Sequence, residues 1–303
     1  MCAPAFVTGI LTNGDDSRGG LSYRESDGMT YKKGLIIHGS LGLSLLLYPM
    51  ARAQEQPAAP AMLENSGKPM IVPFPCAGED FQWAGLACSE DDPCPVYLEI
   101  SAVEPAGARI FAAGNIHSSA VTLYAELLVS DDGGRTWREA QDRIRGAGLD
   151  RIQFTDAENG WVGGQLLYPL SQNAFLLVTA DGGKSWTRQP IFEEARAGSI
   201  QDFTFTAKRE GRLVFDRGPG EGNNRYELYE SGDGGASWTL KEAGAKPQPL
   251  RPAPAPSDWR ARADGPTQSF QIEKRAGERW TPVAAFAVKL GICGGEPEAP
   301  SPH

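Results

Sequence analysis

Three histidines limit the catalytic chemistry open to this chain of 303 residues. His38 falls in an apolar N-terminal run and His303 is the last residue, so a Ser–His–Asp triad or an imidazole-based metal site would have to use His117. Within Gly114-Asn-Ile-His-Ser-Ser119 that side chain reads as a loop hydrogen-bonder. Gly218-Pro-Gly-Glu-Gly222 is a turn cluster without the helix a phosphate-cradling loop requires. The acidic pairs Asp91-Asp92 and Glu193-Glu194 read as solvated loops, and glycoside hydrolysis needs a carboxylate separation that chain spacing does not supply. No cofactor and no metal is expected.

Of five cysteines, Cys2 lies in a segment expected to be discarded, leaving Cys76, Cys88, Cys94 and Cys293. An even number in an exported chain implies disulfides, with three connectivities open. Cys88 and Cys94 can close a short loop, after which Cys76–Cys293 would tie the domain's ends together. A zinc site is the rival, but no CxxC is present.

The export reading rests on Lys32 and Lys33, the apolar stretch Gly34 to Tyr48 and the small-residue exit Ala51-Arg52-Ala53. The stretch is shorter than the roughly 20 apolar residues of a membrane span. Residues 1–53 are therefore read as a signal peptide with a start-site extension ahead of Met29, cleaved after Ala53, and a membrane role exists only through an uncleaved signal. The destination is the periplasm or the extracellular space. Residues 54–68 read as a flexible linker, 69–294 as the working domain and 295–303 as a disordered tail. Of 29 basic and 38 acidic residues, cleavage removes five and four, leaving 24 against 34 and a net charge of -10. Such an acidic chain is a poor fit to nucleic acid. Seven Trp, eight Tyr and twelve Phe can build a core, and 36 Gly with 23 Pro suit short strands joined by turns.

Those strands are organised by a repeat. Ser130-Asp-Asp-Gly-Gly-Arg-Thr-Trp137, Thr179-Ala-Asp-Gly-Gly-Lys-Ser-Trp186 and Ser231-Gly-Asp-Gly-Gly-Ala-Ser-Trp238 share the pattern [ST]-x-D-x-G-x-[ST]-W. In the first copy the pattern positions are Ser130, Asp132, Gly134, Thr136 and Trp137. They are Thr179, Asp181, Gly183, Ser185 and Trp186 in the second, and Ser231, Asp233, Gly235, Ser237 and Trp238 in the third. An eroded fourth copy runs from Arg275 to Trp280. Carboxylate and hydroxyl can accept backbone N–H groups in a tight turn, Gly supplies positive φ, and Trp can fold back under the hairpin. One carboxylate per turn is too few for calcium. Four short strands recur in each period, which is one propeller blade. The fourth copy lacks a first strand, its place taken by the Pro-rich run Lys246 to Pro256, and Pro69 to Trp83 is a candidate to supply it.

This corner resembles the Asp-box, or BNR repeat, of sialidases and other propellers. Phe154-Thr-Asp-Ala-Glu-Asn-Gly-Trp161 is similar to repeats of the photosystem II stability and assembly factor family. The resemblance implies an all-β propeller of four-stranded blades, four recognisable or five in all. The assembly-factor likeness implies a non-catalytic extracytoplasmic binder of polypeptides. The sialidase likeness implies an arginine triad and a Tyr–Glu nucleophile pair. Here the Arg-Ile-Pro signature is missing, Tyr226 and Glu227 point to opposite faces of a strand, and Arg143, Arg145 and Arg151 as a carboxylate clamp read better as solvated or structural.

Propeller connectivity would put the corners and short loops at one end and the long loops at the other. The binding candidates on the long loops are His117, Arg143, Arg145, Tyr168, Arg217, Asn223 and Arg225. The expectation is an exported, non-enzymatic propeller that binds a protein partner, with a glycan-directed lectin or sialidase-like hydrolase as the alternative.

Overall fold

The computed structural model describes residues 61–250 and 257–294. The signal-like segment, much of the Pro-rich run and the tail lie outside the described residues. The described chain is nearly all strand. In order these are β1 (Leu63–Glu64), β2 (Cys94–Ala106), β3 (Arg109–His117), β4 (Thr122–Ser130), β5 (Thr136–Glu139), β6 (Ile144–Arg145), β7 (Ala147–Phe154), β8 (Gly160–Leu166) and β9 (Gln172–Thr179). They continue as β10 (Thr187–Pro190), β11 (Ser199–Phe205), β12 (Gly211–Asp216), β13 (Tyr226–Ser231), β14 (Thr239–Gly244), β15 (Trp259–Asp264), β16 (Ser269–Ala276), β17 (Arg279–Ala287) and β18 (Lys289–Cys293). Helix is confined to one turn, α1 (Glu79–Gln82), and a 3-10 segment at Pro219–Asn224.

The strands form four antiparallel sheets; the second, third and fourth are meanders of strands adjacent in sequence, and the first adds β1 beside β5 and β18 beside β2 to the meander β2 to β5. The physical basis is the two-residue period: along β13, Glu227, Tyr229 and Ser231 are buried while Tyr226, Leu228 and Glu230 are less so. Central strands β3 and β8 are buried on both faces along most of their length and are mostly small and apolar, with Asn115 and Gln165 as buried polar exceptions. Edge strand β14 is exposed and carries Lys241 and Glu242, which discourage pairing with another chain.

Three apolar cores join the four sheets. Val162, Leu149 and Phe175 of the second sheet pack with Phe111 and Leu127 of the first. Trp161 and Leu176 of the second pack with Phe203, Phe205 and Phe215 of the third. Ile272 and Phe286 of the fourth pack with Leu98, Ile116 and Trp137 of the first. The order in space is therefore fourth, first, second, third. Among the described residues no buried apolar core joins the third sheet to the fourth.

The corners are built as the pattern requires. Ser130 Oγ accepts the N–H of Gly134 at 2.8 Å, and Asp132 Oδ1 accepts those of Arg135 and Thr136 at 3.0 and 2.9 Å. Thr136 Oγ1 donates to Asp132 Oδ2 at 2.7 Å, so both carboxylate oxygens serve the turn. The other two corners repeat these bonds. Gly183 has φ 78°, and a Cβ there would lie 2.3 Å from the Phe111 ring of the neighbouring sheet, so glycine serves both turn and packing. The eroded fourth corner is a tight turn at Gly277 between β16 and β17.

The chain ends differ from the expectation. Residues 61–68, read as linker, dock instead: β1 pairs with β5, and Asn65 Nδ2 donates to Gly134 O at 2.9 Å and Val283 O at 2.8 Å. The fourth sheet has three strands, and Pro69 to Trp83 gives it only one parallel bridge, Met70 to Phe286. The strand that crosses between sheets is C-terminal: β18 follows β17 almost without a break and pairs with β2. Disulfides join Cys76 to Cys293 and Cys88 to Cys94, with Cα–Cα distances of 5.2 and 5.4 Å.

Candidate binding face

The loops sort onto two ends. At one, the corners meet the short loops: Gly182 donates to Glu158 O at 2.8 Å, and Gly234 to Arg209 O at 2.9 Å. At the other lie the long connections, where two clusters collect most of the candidate residues.

The first cluster is built on Trp83, which follows α1 and anchors its indole N–H on Asp80 O at 2.8 Å. A Cβ on Gly146 would lie 3.0 Å from this ring, so the link after β6 runs directly over it. Tyr168 meets Trp83 edge-on at 5.3 Å and donates to Ala84 O at 3.3 Å. Its peptide bond to Pro169 is cis. Tyr168 and Leu170 remain 38% and 51% exposed. Arg145, which precedes Gly146, donates to Tyr124 Oη at 3.3 Å, and Tyr124 donates to Asp80 at 2.7 Å. Burial and the bond to the Asp80 carboxylate push the Tyr124 hydroxyl above its ordinary range.

The loop carrying Tyr168 leads into the second cluster. Asn173 donates to Arg196 O at 2.9 Å, and Gly198 to Ser171 O at 2.9 Å. Arg196 lies over the rings of Phe192 and Phe215 at 4.7 and 5.4 Å. It donates to Glu227 Oε1 at 2.7 Å and Tyr229 Oη at 2.6 Å, while Tyr229 donates to Glu227 Oε2 at 2.7 Å. Arg217 stands 3.6 Å from Glu227 Oε1 and 2.8 Å from Glu221. Arg225 grips Asp216 with two nitrogens at 2.8 and 2.7 Å, holding that carboxyl below its usual range.

Tyr168 and Gly146, the residue after Arg145, thus meet at Trp83, and Arg217 and Arg225 share a loop. Asn223 is exposed in the 3-10 segment. His117 stands apart: its Nδ1 lies 2.9 Å from Ser118 O, which places the proton on Nδ1, and its ring packs on Tyr97 at 5.6 Å. Arg143 serves the interior, bonded to Glu126. Arg143, Arg145 and Arg151 form no clamp, since Arg151 pairs with Asp202. Sequence reasoning missed Trp83, Arg196 and the Glu227–Tyr229 pair. The signal for the pair was present, because residues two apart on a strand share a face; Tyr226 is the wrong tyrosine.

No protein-family model and no curated protein matches the chain. Among solved structures the chain is similar to YCF48 bound to D1 peptide, at 19% identity and TM-score 0.33, covering 66% of this chain and 59% of that one. A GH74 xyloglucanase from Xanthomonas campestris is similar at 17% identity and TM-score 0.33, covering 48% of this chain and 21% of that one. YCF48 from Cyanidioschyzon merolae is similar at 16% identity and TM-score 0.31, covering 62% and 56%. The chain spans less than two thirds of each.

Proposed function

We propose that this chain is an exported, non-enzymatic Asp-box propeller-type scaffold that binds a protein partner through its long-loop face. The observation that carries the reading is the Tyr168–Leu170 loop. Tyr168 and Leu170 are exposed, and Tyr168 is fixed from below by Trp83 and by the carbonyl of Ala84. Rigid aromatic groups that need little ordering make efficient contacts with another protein. The charges of the second cluster are paired with one another: Arg196 with Glu227, Arg217 with Glu221 and Arg225 with Asp216. Two disulfides and the signal-like N-terminus support an oxidising compartment.

The test is affinity capture from envelope extract with the wild-type chain and a Tyr168→Ser/Leu170→Ser variant. One saturable protein partner, lost at least tenfold in the variant with an unchanged melting temperature, supports the reading. Capture indifferent to both substitutions overturns it.

A glycan-directed hydrolase is the second reading, favoured by the Tyr229–Glu227–Arg196 network, which holds a tyrosine hydroxyl on a carboxylate. Tyr229 and Glu227 are only 6% and 5% exposed, so a sugar ring would have to displace Arg196. Turnover of a fluorogenic sialoside, abolished by Tyr229→Phe, would establish it over the binder.

A further inference from the structure

The four cysteines of the described residues gather at one place on the first sheet. Cys94 opens β2 and Cys293 closes β18, and the two are direct partners across the antiparallel ladder. Each is nonetheless bonded elsewhere, Cys293 to Cys76 and Cys94 to Cys88. Cys88 also lies close to the end of β18, since a Cβ on Gly294 would fall 2.6 Å from its carbonyl carbon. All four belong to or pack against one apolar cluster.

Partners directly opposite in an antiparallel pair have Cα atoms about 4.5–5.5 Å apart, inside the range of about 4.4–6.8 Å that a disulfide bridges. A Cys94–Cys293 bond is therefore open to the strands as they stand. Its counterpart joins Cys76 to Cys88. Each pairing closes one short and one long loop, so chain entropy separates the two only weakly.

The segment between Cys76 and Cys88 gives this alternative a consequence. Residues 77–87 carry α1, Asp80, Trp83 and Ala84, the groups that hold Tyr124 and Tyr168. The present bonds pin the segment at both ends, to β18 through Cys76 and to β2 through Cys88. The alternative pairing closes it on itself and frees both ends. Two features favour exchange. Cys76 has φ 56°, a left-handed backbone that residues with a Cβ rarely adopt, and opening its bond lets it relax. Cys88 and Cys94 are half-buried and flank the exposed run Ser89 to Pro93, whereas Cys293 is 2% exposed. An outside thiolate therefore reaches the short bridge and not Cys293 Sγ. Glu90, Asp91 and Asp92 in that run suit a cationic thiol.

We propose that this cluster is a thiol–disulfide exchange site that re-pairs the cysteines and unpins the Trp83 segment. An external thiolate attacks Cys88 Sγ, giving a mixed disulfide and a Cys94 thiolate. Cys94 attacks Cys293 Sγ across the ladder, forming Cys94–Cys293 and expelling the Cys76 thiolate. Cys76 then attacks Cys88 Sγ and returns the external thiolate. Two disulfides become two disulfides, with no net oxidation and the thiol recovered. The exchange regulates the long-loop face; that consequence rests on the binding reading above, and the exchange itself does not.

The experiment takes the full chain, its free thiols first capped with N-ethylmaleimide, and exposes it to cysteamine at pH 8 without oxygen. Thiols are then blocked and the disulfides mapped by mass spectrometry. Cleavage after Glu79, Glu90 and Glu99 places Cys76, Cys88 and Cys94 on separate peptides. Cys76–Cys88 and Cys94–Cys293 peptides are expected to appear together, with hydrogen exchange at residues 77–87 at least tenfold faster. A Cys88→Ser/Cys94→Ser variant lacks the relay nucleophile, so its Cys76–Cys293 bond should open at least tenfold more slowly than in wild type. Four outcomes overturn the proposal: persistence of the native pairs in wild type, reduction without a Cys94–Cys293 peptide, re-pairing without faster hydrogen exchange, or opening within twofold of wild type in the folded variant. No partner enters this assay, so its failure leaves the capture test untouched, and a failed capture leaves the exchange standing.

Discussion

The Nε of Arg143 lies 2.6 Å from Oε2 of Glu126, a carboxylate with no exposed surface. Arg143 also reaches Glu139 at 2.8 Å and the carbonyl of Pro73 at 3.0 Å, so one guanidinium ties β4 to the N-terminal segment. Glu126 Oε1 has no donor. Burial pushes this carboxyl up to about 7, outweighing the pull of Arg143.

A pH dependence follows from that pair. Between the ordinary carboxylate range and about 7 the folded chain holds a proton that the unfolded chain has lost, so stability from this group falls as pH rises. Urea unfolding at pH 5 and pH 8 should show wild type losing up to about 3 kcal/mol through this group. Glu126→Gln should flatten that loss. An unchanged pH slope in the variant would exclude the assignment.

The box aspartates act in the opposite direction. Bonds from the Thr136 backbone and hydroxyl hold Asp132 at about 2, and bonds from the Ser237 hydroxyl and backbone hold Asp233 at about 2. Their contribution is complete above the unfolded pKa and is lost as pH falls through the folded one. Acid unfolding should therefore gather between about pH 4 and 2. Asp132→Asn should move its midpoint upward, measured by far-UV circular dichroism.

The three corner tryptophans should respond unequally. Trp137 and Trp238 donate to Gly134 O and Gly235 O at 3.2 and 3.1 Å, whereas the buried Nε1 of Trp186 has no partner. Trp137→Phe should cost about 1 kcal/mol for the lost bond, and Trp186→Phe should be neutral or stabilising. Trp137→Ala, emptying a fully buried site, should cost about 3–5 kcal/mol. Equal effects of the two phenylalanine substitutions in denaturant melts would refute the distinction.

Disulfide removal should scale with the loop closed. Cys76–Cys293 spans 217 positions and Cys88–Cys94 spans 6. Chain entropy gives about 5 and about 2 kcal/mol for their loss. Calorimetry of the paired Cys→Ser variants checks the order.

The corners were legible because every donor and acceptor they use lies within eight residues of chain. The pairing of Asp132 with Thr136, and the glycines between, follow from spacing alone. The candidate site was legible only in part. Tyr168 and Arg145 were found as members of long loops, but nothing local places Trp83 against Tyr168 and Gly146. Arg196 was passed over because its partners Glu227 and Tyr229 stand 31 and 33 positions away. The packing of Gly163 was invisible for the same reason: it is an ordinary strand glycine until Phe203 of another sheet lies against it.

By itself the sequence determined the strands and their turns, since a two-residue burial period and a self-bonded corner are decided by neighbours along the chain. Only the tertiary structure decided that the last strand crosses to the first sheet and that three cores join four sheets. It also decided that Trp83 packs against Tyr168 and Gly146. Those outcomes depend on which side chains meet across separations of tens to hundreds of residues, where packing volume and unpaired polar atoms decide and periodicity is silent.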